Sequence, residues 1–288
     1  MPSLRDLKKR LQSVKTTGQL AGAMRTAATA KYSRASGKLG ALSPYSEAFR
    51  ELAALSERAR PEPTHARRAG RDEPAEERPL PAEKAFLLVS GNRGLCGGYN
   101  HELFGYFSEL LNDCGGPRKI YTCGRMAREF CAEKGIAAEE SFDASDVPTY
   151  DEARAVSSRL LELYNGGAFA SVTIVYQRFY NMLKQSPDTK LFLPIAGGES
   201  GDGEEAPLFM PDAETVLCEL LPRSLAADMY TLLLACASGA QAATLLAMRS
   251  AYDNANASAL MLETAINRRR QAKVTESVIE TSSFRNET

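Results

Sequence analysis

Residues 84–98 read KAFLLVSGNRGLCGG, and this stretch decides the fold class. Its first half is a short apolar run ending at Ser90, which is typical of a β-strand covered on both faces. Its second half is a glycine-rich turn, and a helix is predicted from Asn100 onward. The buried stripe of that helix is predicted to contain Leu103, Phe107, Leu110 and Leu111. A strand, a glycine turn and a helix in this order are typical of an α/β domain.

The same alternation continues through the middle of the chain. Strands are predicted at 119–123, 137–142, 170–179 and 190–195, and helices at 125–134 and 150–164. Strands that alternate with helices predict a mostly parallel, Rossmann-like sheet with helices on its faces. We therefore expect one α/β domain over residues 84–210, which ends in a loop rich in glycine and acidic residues at 197–207.

The glycine-rich turn at 91–98 has two interpretations, because a strand–turn–helix unit can hold phosphate on the backbone N–H groups of a helix start. A dinucleotide site requires the spacing GxGxxG, whereas the glycines here stand at 91, 94, 97 and 98. The second strand also lacks the terminal acidic residue that would bind a ribose. No GxxxxGK[ST] phosphate loop is present in the sequence. The spacing favours a structural turn, with nucleotide binding as the alternative.

Residues 1–58 are predicted to form one long helix. Ser3 and Asp6 fit a capping box with a shortened acid at its start. Apolar positions at three- and four-residue steps predict the buried stripe Leu4, Leu7, Leu11, Val14, Leu20, Ala23, Ala27 and Ala30. Four glycines interrupt the helix (Gly18, Gly22, Gly37 and Gly40). Each costs about 1 kcal/mol relative to alanine, so this helix needs a partner to hold it.

The charge of the first segment is strongly one-sided. Residues 1–46 carry nine basic side chains and a single acidic one. Such a helix indicates an acidic protein partner, a nucleic acid or a membrane surface, with a simply solvated basic face as the alternative. Nucleic acid is disfavoured because no aromatic side chain stands among the basic positions before Tyr32.

The end of the chain resembles its beginning. Residues 59–83 are rich in proline and charge, and are predicted to form an exposed loop. Residues 211–288 are predicted to form a second long helix, since no proline follows Pro222 and Gly239 is its only glycine. The stretch after Pro222 would span about 100 Å as a helix. Its apolar stripe is predicted at Leu217, Leu221, Leu225, Met229, Leu232, Cys236, Gly239, Ala243 and Leu246, and further on at Leu260, Ile266, Val274 and Val278. Two weak helices that flank one domain predict an antiparallel coiled coil.

The composition of the 288 residues argues against several classes of function. No stretch approaches the roughly 18 consecutive apolar residues of a membrane-spanning helix, so we expect a cytoplasmic protein that meets a membrane only through partners. The chain has two histidines, His65 and His101, so the supply of ligands makes a zinc site improbable. They also disfavour a nucleophile–histidine set, since His65 lies in the proline-rich loop and no set can be assembled around the two. No catalytic residue, metal or cofactor is therefore predicted. The six cysteines form no CxxC pair and are expected to be reduced and mostly buried (Cys96, Cys114, Cys123, Cys131, Cys218 and Cys236).

Three segments, taken in order, resemble the gamma subunit family of the F-type ATP synthases. The first is Ala23-Met24, followed by Pro44-Tyr45, and the second is Arg93–Gly98, which matches the RGLCGG turn of that family. The third comprises Ala247-Met248, Asp253-Asn254-Ala255, Asn267, Arg270-Gln271-Ala272 and Val274-Thr275. The resemblance covers nearly the whole chain.

The resemblance implies a rotor shaft that binds no cofactor and catalyses nothing itself. In that family the paired end helices run through a ring of alpha and beta subunits, while the α/β domain meets the epsilon subunit and the membrane ring of c subunits. It implies a peripheral place on the cytoplasmic face of a bacterial cell membrane. Met24, Arg270, Gln271 and Thr275 are implied to contact the catalytic subunits. Arg93, Gly94, Leu95, Cys96, Gly97 and Gly98 are implied to be a structural motif.

Two features depart from the family pattern. Gly22 stands where the family commonly has a lysine, and residues 281–288 are polar where the family is apolar. A non-rotating coiled-coil scaffold derived from the shaft therefore remains an alternative, with a nucleotide-binding α/β enzyme as a less favoured one.

Overall fold

The structure is a computed structural model that describes residues 3–58, 83–194 and 213–286. The chain divides into two compact units. The terminal unit consists of Met1–Thr29 and Thr244–Thr288, and the sheet unit consists of Ala30–Ala243. Apart from Glu83, the predicted loop at 59–83 lies outside the described residues, as does the loop at 197–207.

The sheet unit contains a five-stranded sheet. The strands are β1 Lys84–Val89, β2 Arg118–Cys123, β3 Glu140–Phe142, β4 Ser171–Phe179 and β5 Gln185–Leu193. Their spatial order is β3-β2-β1-β4-β5. The first four strands pair in parallel, and β5 pairs antiparallel with β4. The prediction of a mostly parallel sheet is confirmed.

The last strand begins earlier than its sequence predicts. The prediction placed it at 190–195, but it starts at Gln185 and includes Pro187. Proline and polar residues hid this part of the strand, because proline cannot donate to a central ladder. In the described sheet β5 is an edge strand, and proline is tolerated at an edge. Ile195 lies outside the described residues.

Helices cover both faces of the sheet. They are α1 Leu4–Arg58, α2 Tyr99–Asp113, α3 Arg125–Glu133, α4 Tyr150–Asn165 and α5 Ala213–Asn286. Along β1, Phe86 and Leu88 pack with the buried side chains of α2 and α3. The alternate residues of β1, including Leu87, pack with α4 and with α5. This alternation explains why β1 is apolar throughout.

The two long helices are present as predicted. At the start of α1, the backbone N–H of Asp6 donates to Ser3 Oγ (3.2 Å), and the backbone N–H of Ser3 donates to Asp6 Oδ2 (3.1 Å). The predicted capping box is therefore confirmed, and these hydrogen bonds lower the pKa of Asp6. The helical backbone of α5 continues to Asn286, although the side chains from residue 280 onward lie outside the described part.

The predicted buried stripe of α1 is wrong beyond Val14. The residues that are buried or half-buried up to residue 28 include Leu4, Leu7, Leu11, Val14, Gly18, Ala21, Arg25 and Ala28, which alternate in steps of three and four, and Gly22 and Met24 are half-buried beside them. Leu20 is 61% exposed. The prediction treated Gly18 only as a helix-weakening residue. In fact a small residue occupies the buried face, and the regular repeat passes through it.

The predicted stripe of α5 needs two corrections. Its first part, from Leu221 to Cys236, packs on the sheet instead of forming a seam with another long helix. In the terminal unit residues 244–247 are half-buried, and from there on the buried or half-buried positions are Met248, Ala251, Tyr252, Ala255, Ala259, Leu262, Glu263 and Ile266. Leu260, Val274 and Val278 are mostly exposed, so the prediction placed them on the wrong face.

Within the terminal unit, α1 and α5 make close contacts in reversed order. Lys15 Nζ lies 2.6 Å from Glu263 Oε1. A Cβ atom at Gly18 would lie 3.2 Å from Ala255 Cβ, and one at Gly22 would lie 3.4 Å from the Tyr252 ring. Residue numbers therefore rise along α1 while those of its α5 neighbours fall. Gly22, which departs from the family pattern, leaves room for that tyrosine ring.

One helix among the described residues is long and apolar enough to cross a membrane by these two criteria alone. It is the stretch Glu219–Ile279 of α5, whose most apolar window has a mean hydropathy of 1.6. The search for consecutive apolar residues in the sequence does not detect it, because polar residues such as Asp228, Thr231 and Gln241 interrupt the apolar run. Half of this window is buried within the protein, as in the core helices of many proteins that pass the same test.

Candidate functional site at the glycine turn

The turn Arg93–Gly98 lies between β1 and α2 and adopts a tight, partly left-handed backbone. Leu95 has φ 63° and Gly97 has φ 59°. Leu95 is unusual, because few residues with a Cβ adopt positive φ, and its side chain is 64% exposed. The side-chain amide of Asn100 donates to Cys96 Sγ (3.3 Å) and to the backbone oxygen of Arg93 (3.4 Å). The first turn of α2 thus holds the loop that precedes it.

Ser90, Gly91 and Asn92, next to the turn, accept hydrogen bonds from the first backbone N–H groups of α3. The backbone N–H of Arg125 donates to Asn92 Oδ1 (3.0 Å), and that of Ala127 donates to Ser90 Oγ (2.7 Å). The backbone N–H of Met126 donates to the carbonyl oxygen of Gly91 (3.3 Å). These are the donors that a phosphate would need at a helix N-terminus. Their use within the chain favours the structural interpretation of the turn over nucleotide binding.

The start of α2 is equally unsuited to an anion. A Cβ atom at Gly98 would lie 2.9 Å from Glu102 Oε1, which shows that a carboxylate group sits against the turn. Beside the turn is an open cleft of about 720 Å³ that contains Arg93, Arg125 and Arg128 in its lining. Each of these arginines pairs with a carboxylate, respectively those of Asp146, Glu129 and Asp143. The cleft therefore offers a phosphate no unpaired guanidinium group.

Tyr99, the residue directly after the turn, connects the turn to α5. Its hydroxyl group donates to the backbone oxygen of Cys236 (2.9 Å), and its side chain is buried. Burial raises the pKa of Tyr99 well above its usual value, so the hydroxyl remains a donor. The backbone oxygen of Tyr99 accepts from Gln177 Nε2 of β4 (2.8 Å). Gly239 allows the close approach, since a Cβ atom there would lie 3.1 Å from Tyr99 Cε2.

Arg93, at the other end of the turn, connects it to α1. Arg93 Nε lies 3.1 Å from Asp146 Oδ2, and Lys31 Nζ binds the same carboxylate oxygen. Asp146 lies in the loop between β3 and α4, and its side chain is only 19% exposed. The next residue of α1, Tyr32, makes an edge contact with Phe179 of β4, with ring centroids 6.3 Å apart. The turn Arg93–Gly98, with Tyr99 directly after it, therefore contributes to the attachment of both long helices.

The buried thiols near this site are unreactive, because burial keeps them protonated. The five cysteines whose side chains the structure describes are free, and all but Cys114 are buried. Burial raises the pKa of Cys123 to about 12, and it also raises the pKa of Cys236. Both thiols are therefore protonated at neutral pH. The expectation of mostly buried thiols holds for the described cysteines, while the Cys218 side chain lies outside them.

The sequence-predicted contact residues belong to the terminal unit. Met24 is half-buried on α1, whereas Arg270, Gln271 and Thr275 are exposed on α5. The Thr275 hydroxyl donates to the backbone oxygen of Gln271 (3.0 Å). The motif Arg93–Gly98 lies in the sheet unit, so the structure separates the two predicted sets into different units.

Sequence reasoning missed the residues that connect the turn to the helices. They are Lys31, Tyr99, Asp146 and Gln177. The only available signal was Gly239, the single glycine of a 74-residue helix, which marks a close approach by another group.

Comparison with known proteins identifies the family. A family model described as ATP synthase matches residues 3–283. The ATP synthase gamma chain of Pelotomaculum thermopropionicum is 30% identical, and the alignment covers 97% of each chain. That of Granulibacter bethesdensis is 34% identical at the same coverage.

The chain belongs to the ATP synthase gamma chain family. The resemblance seen in the sequence is thereby confirmed, and the protein is a subunit of a larger complex. Solved ATP synthases share the fold at low identity. A chain of the Euglena gracilis mitochondrial OSCP/F1/c-ring structure aligns with a TM-score of 0.63 at 14% identity, covering 96% of this chain and 91% of that one. A chain of the Tetrahymena thermophila central stalk and c-ring aligns with a TM-score of 0.58 at 17% identity, covering 81% and 99%.

Proposed function

We propose that this gamma chain is a rotor shaft with no catalytic site of its own, which transmits rotation between a membrane ring and a catalytic hexamer. The observation that carries the proposal is the set of contacts by which the end of β1, the glycine turn and Tyr99 hold neighbouring helices. The first N–H groups of α3 donate to Ser90, Gly91 and Asn92, and the arginines beside the turn pair with carboxylates, so both groups serve the fold rather than a nucleotide. Torque transmission requires stiff elements, and the chain supplies two helices of 55 and 74 residues.

We infer that α1 and α5 pair as an antiparallel coiled coil in the terminal unit. Three lines support this. Buried positions on both helices alternate in steps of three and four, the contacts run in opposite directions, and small residues line the seam. Arg25 adds a polar contact, since its guanidinium carbon lies 4.9 Å from the centroid of the Tyr252 ring. Small seam residues allow close helix approach, which makes a slim shaft.

A disulfide tests this pairing. The double variant Gly18→Cys/Ala255→Cys is expected to cross-link readily under mild oxidation, because two Cβ atoms about 3.8 Å apart suit a disulfide and these positions nearly meet. The measurement is non-reducing mass spectrometry of the oxidised chain. The control is Gly18→Cys/Asn267→Cys, which places the second thiol three helical turns away and is expected to stay reduced. Equal cross-linking of both pairs would contradict the antiparallel register.

The surface of the terminal unit supports contact with surrounding subunits. Its α5 segment exposes large apolar side chains, including Leu260, Met261 and Val278, each more than 60% exposed. Exposed apolar side chains along one helix indicate a surface that partners cover. The first segment adds its excess of basic residues, which complements acidic loops. We propose that alpha and beta subunits cover this unit, with Met24, Arg270, Gln271 and Thr275 among the contacts.

The remaining partners follow from the same proposal. The sheet unit would meet the epsilon subunit and the ring of c subunits, at the cytoplasmic face of a bacterial cell membrane. The similar solved structures support the ring contact, since they are a central stalk with a c-ring and an OSCP/F1/c-ring assembly.

Reconstitution tests the proposed function. Mixed with its cognate alpha and beta subunits, the chain is expected to give a stable complex that hydrolyses ATP and rotates. In the complete membrane enzyme, Arg270→Ala is expected to lower ATP-driven proton pumping by roughly tenfold, the kinetic equivalent of about 1.5 kcal/mol for one charge-assisted hydrogen bond. The measurement is the quenching of a pH-sensitive dye in sealed vesicles.

Arg268→Ala is the matched control, because it removes the same charge two positions away, on another side of the helix. It is expected to leave pumping close to that of the unmodified enzyme. A complex that assembles and hydrolyses ATP without rotating would instead support the non-rotating scaffold. Tight binding of ATP by the isolated chain would support the nucleotide-binding alternative.

A further inference from the structure

Both long helices are fixed to the sheet unit close to the points where they enter or leave it. The unit begins at Ala30 on α1, and the first contacts of α1 with the sheet's loops and strands follow immediately at Lys31 and Tyr32. The unit ends at Ala243 on α5, and the Tyr99 contacts fall within two turns before it. A twisting force in either helix reaches the sheet unit first at these points.

The attachment of α5 resists rotation of that helix about its own axis. The Tyr99 ring fills the space left by Gly239, and its hydroxyl group holds a backbone oxygen one turn earlier, at Cys236. Axial rotation of α5 at this point has to displace the ring from Gly239 or lengthen the 2.9 Å hydrogen bond. A second close approach lies at Ala240, whose Cβ is 3.5 Å from where a Cβ of Gly91 would stand.

The attachment of α1 is of a different kind. It consists of the ion pair between Lys31 and Asp146, whose side chains are 28% and 19% exposed, and of the edge contact between the Tyr32 and Phe179 rings. Charge pairs of this type are weakened by salt and allow their long side chains to move. The α5 attachment is buried and packed, so of the two it is the stiffer.

We propose that the turn Arg93–Gly98, together with Tyr99, is the joint through which torque passes between the sheet and the long helices. Tyr99 is the positioning residue that locks α5 against axial rotation. This assigns a mechanical role to the glycine motif, in place of the phosphate binding that its composition suggests. The inference rests on the proposed shaft function and adds the place where the force is carried.

The test measures the torsional stiffness of the assembled rotor. The catalytic hexamer is immobilised, a small probe is attached to the sheet unit, and the angular distribution of the probe is recorded during the pause before ATP binds. The variance of this distribution is inversely proportional to the stiffness. Tyr99→Phe removes the hydroxyl group and keeps the ring, so we expect the variance to rise by about twofold, as for one lost buried hydrogen bond.

Gly239→Ala is a second, independent variant, since its methyl group would push the Tyr99 ring away from α5. We expect it to broaden the distribution at least as much as Tyr99→Phe does. The matched controls are Tyr180→Phe, at a half-exposed tyrosine, and Gly105→Ala, where a Cβ atom meets nothing within 4 Å. Both controls are expected to leave the variance unchanged.

The outcomes separate this inference from the proposed function. A rotating enzyme whose variance is unchanged in both Tyr99→Phe and Gly239→Ala would overturn the joint and leave the shaft intact. An unmodified chain that assembles but does not rotate would overturn the shaft function itself. A purely structural role for Tyr99 would lower the unfolding temperature without broadening the distribution, and this result too would count against the joint.

Discussion

Gly124→Ala is expected to destabilise the sheet unit by roughly 3 kcal/mol or more, because of the glycines compared in the described segments Gly124 has the closest approach to backbone. Gly124 has φ 96° and ψ 152°, a conformation that is essentially restricted to glycine. A Cβ atom there would lie 2.4 Å from the backbone oxygen of Ser90, which cannot move without disturbing β1. Urea denaturation followed by circular dichroism measures the free energy of unfolding.

The consequence of this substitution reaches the turn. Gly124 immediately precedes α3, whose first N–H groups bind Ser90, Gly91 and Asn92. Displacing Ser90 would free those donors and loosen the loop that attaches the long helices. Gly105→Ala, in the open on α2, serves as the control and is expected to be neutral or slightly stabilising, because alanine is the better helix former. Equal stability of the two variants would contradict the proposed close approach.

Met229→Ala is expected to cost about 2 to 5 kcal/mol, which corresponds to a fall of several degrees in the unfolding midpoint. Met229 is fully buried where α5 packs on the sheet, among Leu225, Leu232 and Leu233. Removing the side chain leaves a cavity in the interface between α5 and the sheet. The measurement is thermal unfolding, together with the fraction of chain that assembles with alpha and beta subunits.

Met261→Ala is the matched control, since it makes the same change on the same helix where the side chain is 71% exposed. We expect it to leave the free energy of unfolding within about 0.5 kcal/mol of the original. Its effect on assembly is informative in its own right. A fall in assembly without a fall in stability would indicate that partner subunits cover this exposed methionine.

The positions of strands and helices were largely predictable, because each depends on a local pattern. The β1 strand and the α2 helix follow from one apolar run and one glycine turn, and both were predicted to within a residue or two. The start of β5 was not predicted, since Pro187 is compatible with a strand only at the edge of a sheet. Whether a strand lies at an edge depends on its neighbours in space.

The faces of the long helices were harder to predict than their existence. Leu20 and Leu260 were assigned to buried stripes because leucine is usually buried, yet both are exposed. Gly18 and Ala255 occupy the contact instead. A helix that pairs closely with another places small residues inside, and apolar residues left outside are available to partners. Local hydrophobicity alone could not separate these two uses.

The amino-acid sequence by itself determined the two terminal helices, the α/β domain between them and the family, because each depends on residue order along the chain. Only the tertiary structure decided what the glycine turn does. Its composition is compatible with a phosphate loop. In the structure Ser90, Gly91 and Asn92, next to the turn, accept from the first N–H groups of α3, and Tyr99 reaches across to Cys236 of α5, 137 positions away. Contacts over such separations depend on how the elements pack, so no local pattern records them.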